Sequence, residues 1–303
     1  MAAKELYIYL NGSYVPRSEA KISVYDHGLL YGDGVFEGIT AYNGIVFQLK
    51  EHIERLYESA NYIRLNISLN TEQMTNAVLN TLRRNRLKDA YIRFVVTRGE
   101  GDLGIDPRLC KQSTVFVITE PYKAPAPEDI KPLTLHISSI RRDAVDATTH
   151  EAKSLNYLNS ILARLEAIDA GANQAILLDQ RGFVSEADIT NIFIVKENVV
   201  GTPSTAAGIL HGITRARLIR LIKDLGYELY ERDITPFELV SAEEVFVSGT
   251  KSSILPVAKI NGRPISYGRP GPITMRVMQE FRRLTSRPEE GTPIYEELKL
   301  AEK

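Results

Sequence analysis

What this 303-residue chain has little of narrows its possibilities first. It carries one cysteine, Cys110, so no intramolecular disulfide can form. That suits a reducing compartment and leads to the expectation of a cytoplasmic protein. Cys110 has no Cys or His near it at metal-ligand spacing, so no metal centre is expected. No apolar run approaches the roughly 20 residues of a membrane helix. The opening "MAAKELYIYLNG" is charged and alternating, unlike a secretory leader, and no membrane partner is expected. Charge of one sign is also scarce: 37 Lys and Arg balance 38 Asp and Glu, a net charge of -1. The short patch "RRNR" at 83–86 is too small for the concentrated cationic face of a nucleic-acid binder.

What is present is a globular composition, 44% hydrophobic and 25% charged, in a chain long enough for one large domain or two ordinary ones. "LYIYLNGSYV" reads as a hairpin turning at Asn11-Gly12. Ile53, Leu56, Ala60 and Ile63 mark one helix; Met74, Val78 and Leu82 mark a second, after Thr71. "AYIRFVVT" and "STVFVIT" are strand candidates, rich in β-branched and aromatic residues. The stretch 120–132 holds four prolines and can support neither a helix nor a central strand. It divides the chain into a small N-terminal domain (1–120), a linker (121–132) and a larger C-terminal domain (133–303).

In the second half the pattern restarts. "LTLHISSI", "QAILLD", "NIFIVKEN" and "EVFVSGT" read as strands. Leu155, Leu158, Leu162 and Leu165 predict a helix over 155–169 with one buried stripe. "ITRARLIRLIKDLG" is a helix closed by Gly226, and "TPFE" at 235–238 is a capping box with proline at the first helical position. Ile273, Val277, Phe281 and Leu284 mark the last helix. Two α/β domains follow from this order of elements.

Four features call for chemistry. Lys153 stands ahead of a helix, and Glu186 lies in "GFVSEADITNIFIV", just before a strand, at the kind of element end where sites are built. Gly208 and Gly212 precede a helix starting near Thr214, whose free N–H groups and dipole favour an anion. "VFVSGTKSS" ends a strand with a hydroxyl at Thr250. A lysine, an acid, a helix N-terminus and a hydroxyl together match what pyridoxal 5'-phosphate requires: an imine partner, a ring-nitrogen partner and a phosphate cradle.

Seven stretches carry a resemblance across nearly the full chain: "HGLLYGDGVFEGI" (27–39), "EHIERL" (51–56), "AYIR" (90–93), "KSLNYLNSILA" (153–163), "GFVSEADITNIF" (182–193), "GILHGITR" (208–215) and "VFVSGT" (245–250). In their order and spacing the sequence resembles the class IV aminotransferases of fold type IV, nearest to the branched-chain amino acid aminotransferases. The resemblance implies a two-domain α/β (α+β) fold, with a small N-terminal α/β domain and a larger domain around a β-barrel-like core. It implies pyridoxal phosphate joined to Lys153, which then shuttles the proton at the substrate Cα. Glu186 would face the ring nitrogen. Arg55, the N–H groups of Ile213 and Thr214, and the Thr250 hydroxyl would hold the phosphate. Leu210 would pack on the ring, and Tyr157 would hydrogen-bond its phenolic oxygen.

At the substrate end, the resemblance puts Phe36, Tyr91 and Arg93 around the side-chain pocket, where the arginine receives glutamate's distal carboxylate. The α-carboxylate would meet the amides of Thr250 and Lys251. Tyr31 and the loop "LGIDP" (103–107) match segments that reach in from a neighbouring subunit, which implies a homodimer or higher oligomer. Amino acids and 2-oxo acids are then the small-molecule partners, and transamination of L-leucine, L-isoleucine and L-valine with 2-oxoglutarate is the expected reaction.

The sequence departs from the family where Ala187 and Asp188 follow the acid and where "KSSI" follows Thr250. Arg98 matches an arginine that binds the substrate carboxylate in D-amino-acid aminotransferases of this fold. A D-amino-acid or (R)-amine transaminase is therefore the nearest alternative, ahead of an aminodeoxychorismate lyase. A binding protein without chemistry fits poorly with a chain that has both Lys153 and Glu186.

Overall fold

The computed structural model describes residues 5–265 and 268–295, which divide into two compact units. The first contains residues 5–124, 152–156 and 285–295 of the described chain; the second contains 125–151 and 157–284.

The first unit opens with the expected hairpin, β1 (Tyr7–Leu10) and β2 (Ser13–Pro16). Asn11 and Gly12 turn it with φ of 46° and 91°, both left-handed, as a tight hairpin demands. There follow α1 (His27–Tyr31), β3 (Gly34–Tyr42), β4 (Ile45–Phe47), α2 (Leu49–Tyr62), α3 (Thr71–Asn85), β5 (Ala90–Thr97) and β6 (Thr114–Pro121). These strands form one antiparallel sheet in the order β4, β3, β5, β6, β1, β2, extended beyond β4 by Gly291–Pro293. Helix α2 buries Leu49, Ile53, Leu56 and Ala60, and α3 buries Met74, Val78 and Leu82, in one core with Ile39, Ile92 and Phe94. Each fully buried aliphatic side chain there contributes about 1.5–3 kcal/mol.

The second unit contains β7 (Leu133–Arg141), α4 (Leu158–Asp169), β8 (Gln174–Leu178), β9 (Val184–Ala187), β10 (Asn191–Lys196) and β11 (Val199–Thr202). It continues with α5 (Ile213–Asp224), β12 (Leu229–Glu231), α6 (Pro236–Val240), β13 (Glu244–Gly249), β14 (Ser253–Ile260), β15 (Arg263–Pro264) and α7 (Pro272–Leu284). Its mixed sheet runs β12, β11, β10, β13, β14, β7, β8, β9, with β15 on the side of β14. The sheet curls into a half-barrel, and a tight turn joins β9 to β10, in which the Ala187 N–H donates to the Thr190 carbonyl. The capping box is formed between Thr235 and Glu238, and α7 buries Ile273, Val277, Phe281 and Leu284, as the spacing predicts. Among the described residues, no helix is long and apolar enough to cross a membrane.

The structure corrects the sequence reading at several points. Residues 285–295 group with the first unit, because Gly291–Pro293 pairs with β4. Residues 152–156 also group with it, because Ser154 bridges Val35 and the Leu155 N–H donates to the Gly34 carbonyl. Helix α4 therefore begins only at Leu158, and Lys153 sits in an irregular segment well ahead of it. Its leucine stripe is not buried: Leu158, Leu162 and Leu165 are 66%, 43% and 52% exposed. The helix packs instead through Ser160, Ala163 and Ala167, whose small side chains let its backbone approach the sheet. Glu186 lies within β9, near its end, as well as ahead of the expected strand β10.

Candidate active site

In the first unit, α2 carries two adjoining stripes. Leu49, Ile53, Leu56 and Ala60 form the apolar one, while His52, Arg55 and Ser59, at i, i+3 and i+7, form a buried polar one beside it. The polar stripe meets Glu37 of β3, which is wholly buried. Arg55 donates from Nε to Glu37 Oε1 (2.6 Å) and from Nη2 to Oε2 (2.8 Å), and His52 Nδ1 lies 2.8 Å from Oε2. Burial alone would raise the Glu37 carboxyl; the Arg55 guanidinium and the His52 N–H outweigh it and hold the group well below the usual carboxylate range. Burial lowers His52, and the nearby charges of Arg55 and Lys153 add to the effect against the pull of Glu37. A neutral His52 donating through Nδ1 satisfies that balance.

Lys153 is fixed at its backbone. Its N–H donates to Ser59 Oγ (3.0 Å), and its carbonyl accepts from the Phe36 N–H (3.0 Å). Its Nζ lies 4.7 Å from the centroid of the Phe36 ring, and the Arg93 guanidinium lies 4.3 Å from the same centroid. Arg93 Nη2 reaches the Tyr91 hydroxyl at 3.4 Å, while Arg93 Nε is buried with no hydrogen-bond partner in the described structure. The antiparallel register of β3 and β5 pairs Gly38 with Arg93. A Cβ at Gly38 would sit 2.4 Å from the Tyr91 hydroxyl, so any larger residue there would displace the Tyr91 ring. Phe36, Tyr91, Arg93 and Lys153, singled out separately in the sequence, thus form one cluster of an aromatic ring, a phenol and two cations.

Arg98 behaves differently. It donates to both oxygens of Asp33 (2.8 and 2.9 Å) and to the carbonyls of Ile63 and Arg64 (2.8 and 2.7 Å). Four of its five N–H donors are committed to its own chain. Tyr31, also in this unit, accepts from the Gly104 N–H (2.9 Å), which ties it to the 103–107 loop, where Leu103 and Ile105 are 70% and 84% exposed.

The second unit places Glu186 at the centre of another buried cluster. Oε2 accepts from Asn191 Nδ2 (2.7 Å) and Oε1 from the Leu210 N–H (3.2 Å); Arg142 Nη2 and His150 Nε2 stand 3.3 and 3.6 Å from Oε1. Arg142 is fully buried and braced by Ser160 Oγ and the Ala187 carbonyl. Tyr157 stacks its ring at a tilt on His150, with centroids 5.6 Å apart. Asn191 also donates to the Leu210 carbonyl (3.1 Å), and a Cβ at Gly212 would fall 2.0 Å from Asn191 Oδ1. Gly212 is the N-cap of α5 and supplies no capping side chain, so the N–H groups of Ile213 and Thr214 start the helix without intrahelical acceptors. Arg215 beside them is spent on the Pro203 carbonyl and Glu231. Thr250 and Lys251 form the turn between β13 and β14, where Gly249 pairs with Ser253; the Lys251 side chain is exposed.

Glu37, His52, Arg142, His150 and Asn191 escaped the sequence reading. A signal existed for one group: the polar i, i+3, i+7 spacing within "HIERLYES" lies beside an apolar stripe on the same helix. Glu37 and Arg142 lie in segments that say nothing of their partners.

Residues 34–260 match the family described as amino-transferase class IV. Over 291 residues the chain is 50% identical to a putative branched-chain-amino-acid aminotransferase of Methanocaldococcus jannaschii, covering 96% of this chain and 99% of that one. It is similar in structure to the T.th. branched-chain amino acid aminotransferase with pyridoxamine 5'-phosphate, at TM-score 0.92 and 37% identity, covering 96% and 99% of the two chains. It is also similar to the branched-chain aminotransferase of Thermoproteus uzoniensis with norvaline, at TM-score 0.89 and 36% identity, covering 96% and 100%.

Proposed function

The chain belongs to the class IV aminotransferase family, and from that footing we propose that it is a pyridoxal-phosphate-dependent branched-chain amino acid aminotransferase. Its reaction exchanges the amino group of L-leucine, L-isoleucine or L-valine with 2-oxoglutarate in two half-reactions. The observation that carries the substrate reading is the Phe36–Tyr91–Arg93 cluster, where an aromatic wall adjoins a guanidinium with one buried N–H unspent. An aliphatic side chain packs on the ring, and the distal carboxylate of glutamate meets Arg93. Arg98, whose counterpart argues for D-amino acids, spends four of its five N–H donors on Asp33 and two carbonyls, and its charge is already paired with the Asp33 carboxylate.

The residues present fit the cofactor. In the first unit, Arg55 is held at its Nε and Nη2 edge by Glu37, which orients the guanidinium for a phosphate. In the second, the uncapped start of α5 at Ile213 and Thr214 suits a phosphate as well, with the Thr250 hydroxyl assigned to the same group. Leu210 gives the ring an apolar face and Tyr157 a hydroxyl for the phenolic oxygen. Bound there, pyridoxal phosphate supplies an aldehyde that takes up the substrate amino group and a ring that accepts electron density from Cα. Glu186 holds a proton on the ring nitrogen. Lys153 Nζ takes the proton from the substrate Cα as the free amine and, as the ammonium so formed, returns it on the cofactor side. The amides of Thr250 and Lys251 bind the α-carboxylate. The enzyme works in the cytoplasm as a homodimer or higher oligomer, in which Tyr31 and the 103–107 loop serve a neighbouring copy; the exposure of Leu103 and Ile105 supports that reading.

The test is an absorbance spectrum of the purified, cofactor-loaded protein. L-leucine should abolish the visible band and 2-oxoglutarate restore it, whereas D-alanine and an (R)-arylamine should leave it unchanged. Lys153→Ala should remove the cycle. A band indifferent to L-leucine but bleached by D-alanine would transfer the assignment to the D-amino-acid alternative.

A further inference from the structure

Helix α4 is inside out. On a helical wheel, Leu158, Ile161, Leu162, Leu165 and Ile168 fall on one face about 120° wide. All five are exposed, at 66%, 52%, 43%, 52% and 58%. The opposite face, Ser160, Ala163 and Ala167, is the buried one. Two of its charged residues are drawn toward the body of the unit: Arg164 pairs with Asp188, and Glu166 accepts from the Ser139 N–H (2.8 Å) and from Ser138. The outward stripe has five aliphatic side chains, with Asp169 its one charged residue, exposed at the C-terminal end of the helix. It presents on the order of 500 Å² of apolar surface, toward the top of what a single patch on a soluble monomer shows. That is more than half of the ~800 Å² each partner gives to a standard interface.

We infer that this stripe is a contact between two copies of the chain, packed as antiparallel α4 helices about a two-fold axis. The inference rests on the self-association proposed above and names the surface that carries it. A symmetric contact must be complementary to itself. The stripe nearly meets that condition: Leu158 and Ile168, and Ile161 and Leu165, lie at equal distances from a midpoint at position 163. Turned about that point, Ile161 of one copy faces Leu165 of the other, and Leu158 faces Ile168. A stripe of five exposed aliphatic side chains gives a polar partner little to bond, whereas the same stripe on a second copy matches it in chemistry.

Sedimentation of the holoenzyme measures this directly. The unaltered chain should sediment as a dimer or larger at micromolar concentration. Ile161→Glu and Leu165→Lys should each weaken association at least 100-fold and yield a smaller species, with far-ultraviolet circular dichroism unchanged. Mixing the two variants should restore the larger species, because glutamate then faces lysine across the axis. If the unaltered chain associates and both variants keep its mass, the α4 contact is overturned while self-association stands. A monomeric unaltered chain would overturn both. Monomeric variants that fail to reassociate when mixed would overturn the pairing of α4 with itself. Should either variant fail to fold, Ile161→Cys mixed with Leu165→Cys, each in a Cys110→Ala background, decides: oxidation should link the two chains through a disulfide, and chains that stay single on a denaturing gel would overturn the contact.

Discussion

Each unit buries one glutamate among basic groups, and the two are held in opposite ways. Glu37 is filled by two side chains of a single helix, His52 and Arg55, three residues apart. Glu186 is surrounded from four separate segments, by Arg142, His150, Asn191 and the Leu210 amide. The first arrangement spends both carboxylate oxygens on fixing one guanidinium, so Glu37 serves to hold Arg55. The second spends long-range structure on fixing the carboxylate itself, so Glu186 is the group being aimed. Burial and charge are alike in the two places; the direction of service differs.

Neutralising each acid in turn should break that symmetry, and the larger effect belongs to Glu186→Gln. The amide still accepts from Arg142 and the Leu210 N–H, and Asn191 can turn its own amide oxygen to meet the new NH2, at the cost of its bond to the Leu210 carbonyl. The fold should survive, while the proton on the cofactor nitrogen loses its counter-charge. Turnover should fall on the order of 10²–10³-fold, with the melting temperature little changed. Single-turnover kinetics with L-leucine check it, and parental turnover would show that Glu186 only braces Arg142.

Glu37→Gln should do the reverse. Arg55 has no acceptor to offer the new amide, and a buried guanidinium loses its counter-charge. A loss of about 3–5 kcal/mol of stability is expected, with cofactor affinity lowered roughly 10–100-fold through the misplaced Arg55. Thermal melts and cofactor titration read the two effects. Full stability with unchanged cofactor affinity would remove Glu37 from its positioning role.

The same contrast explains what the sequence could and could not reveal. Features set by neighbouring residues were legible: the Asn11-Gly12 turn, the Thr235–Glu238 capping box, and the buried stripes of α2, α3 and α7. Family resemblance named Lys153, Arg55 and Glu186, but not the groups that hold them. Ser59 meets Lys153 from 94 residues away, and Arg142 meets Glu186 across two strands, so no local pattern reports either contact. Helix α4 misled for a subtler reason. Its 3.6-residue apolar period is genuine, but periodicity says only that one face is apolar and not what covers that face. Small residues on the opposite side allowed closer packing and turned the leucines outward.

Acid should sharpen the comparison further, with the smallest of these effects. Glu37 in the folded chain lies well below its ordinary value of 4.5, because Arg55 and His52 override the burial that would raise it. Its contribution to stability is therefore complete above 4.5 and lost as pH falls below. His52 lies below its ordinary value of 6.5, with burial the main cause and Arg55 and Lys153 adding to it. A depressed histidine must be protonated against the fold, so its contribution is complete above 6.5 and begins to fade beneath it. Both groups act in one direction and at two successive pH ranges. Melting temperature should hold steady from about pH 8 to 6.5, slip by a few degrees at most through the histidine range, and drop more steeply below 4.5. His52→Gln should erase the first slope and leave the second. Identical profiles for the two proteins between about pH 6.5 and 4.5 would mean that His52 is free to take its proton in the folded state.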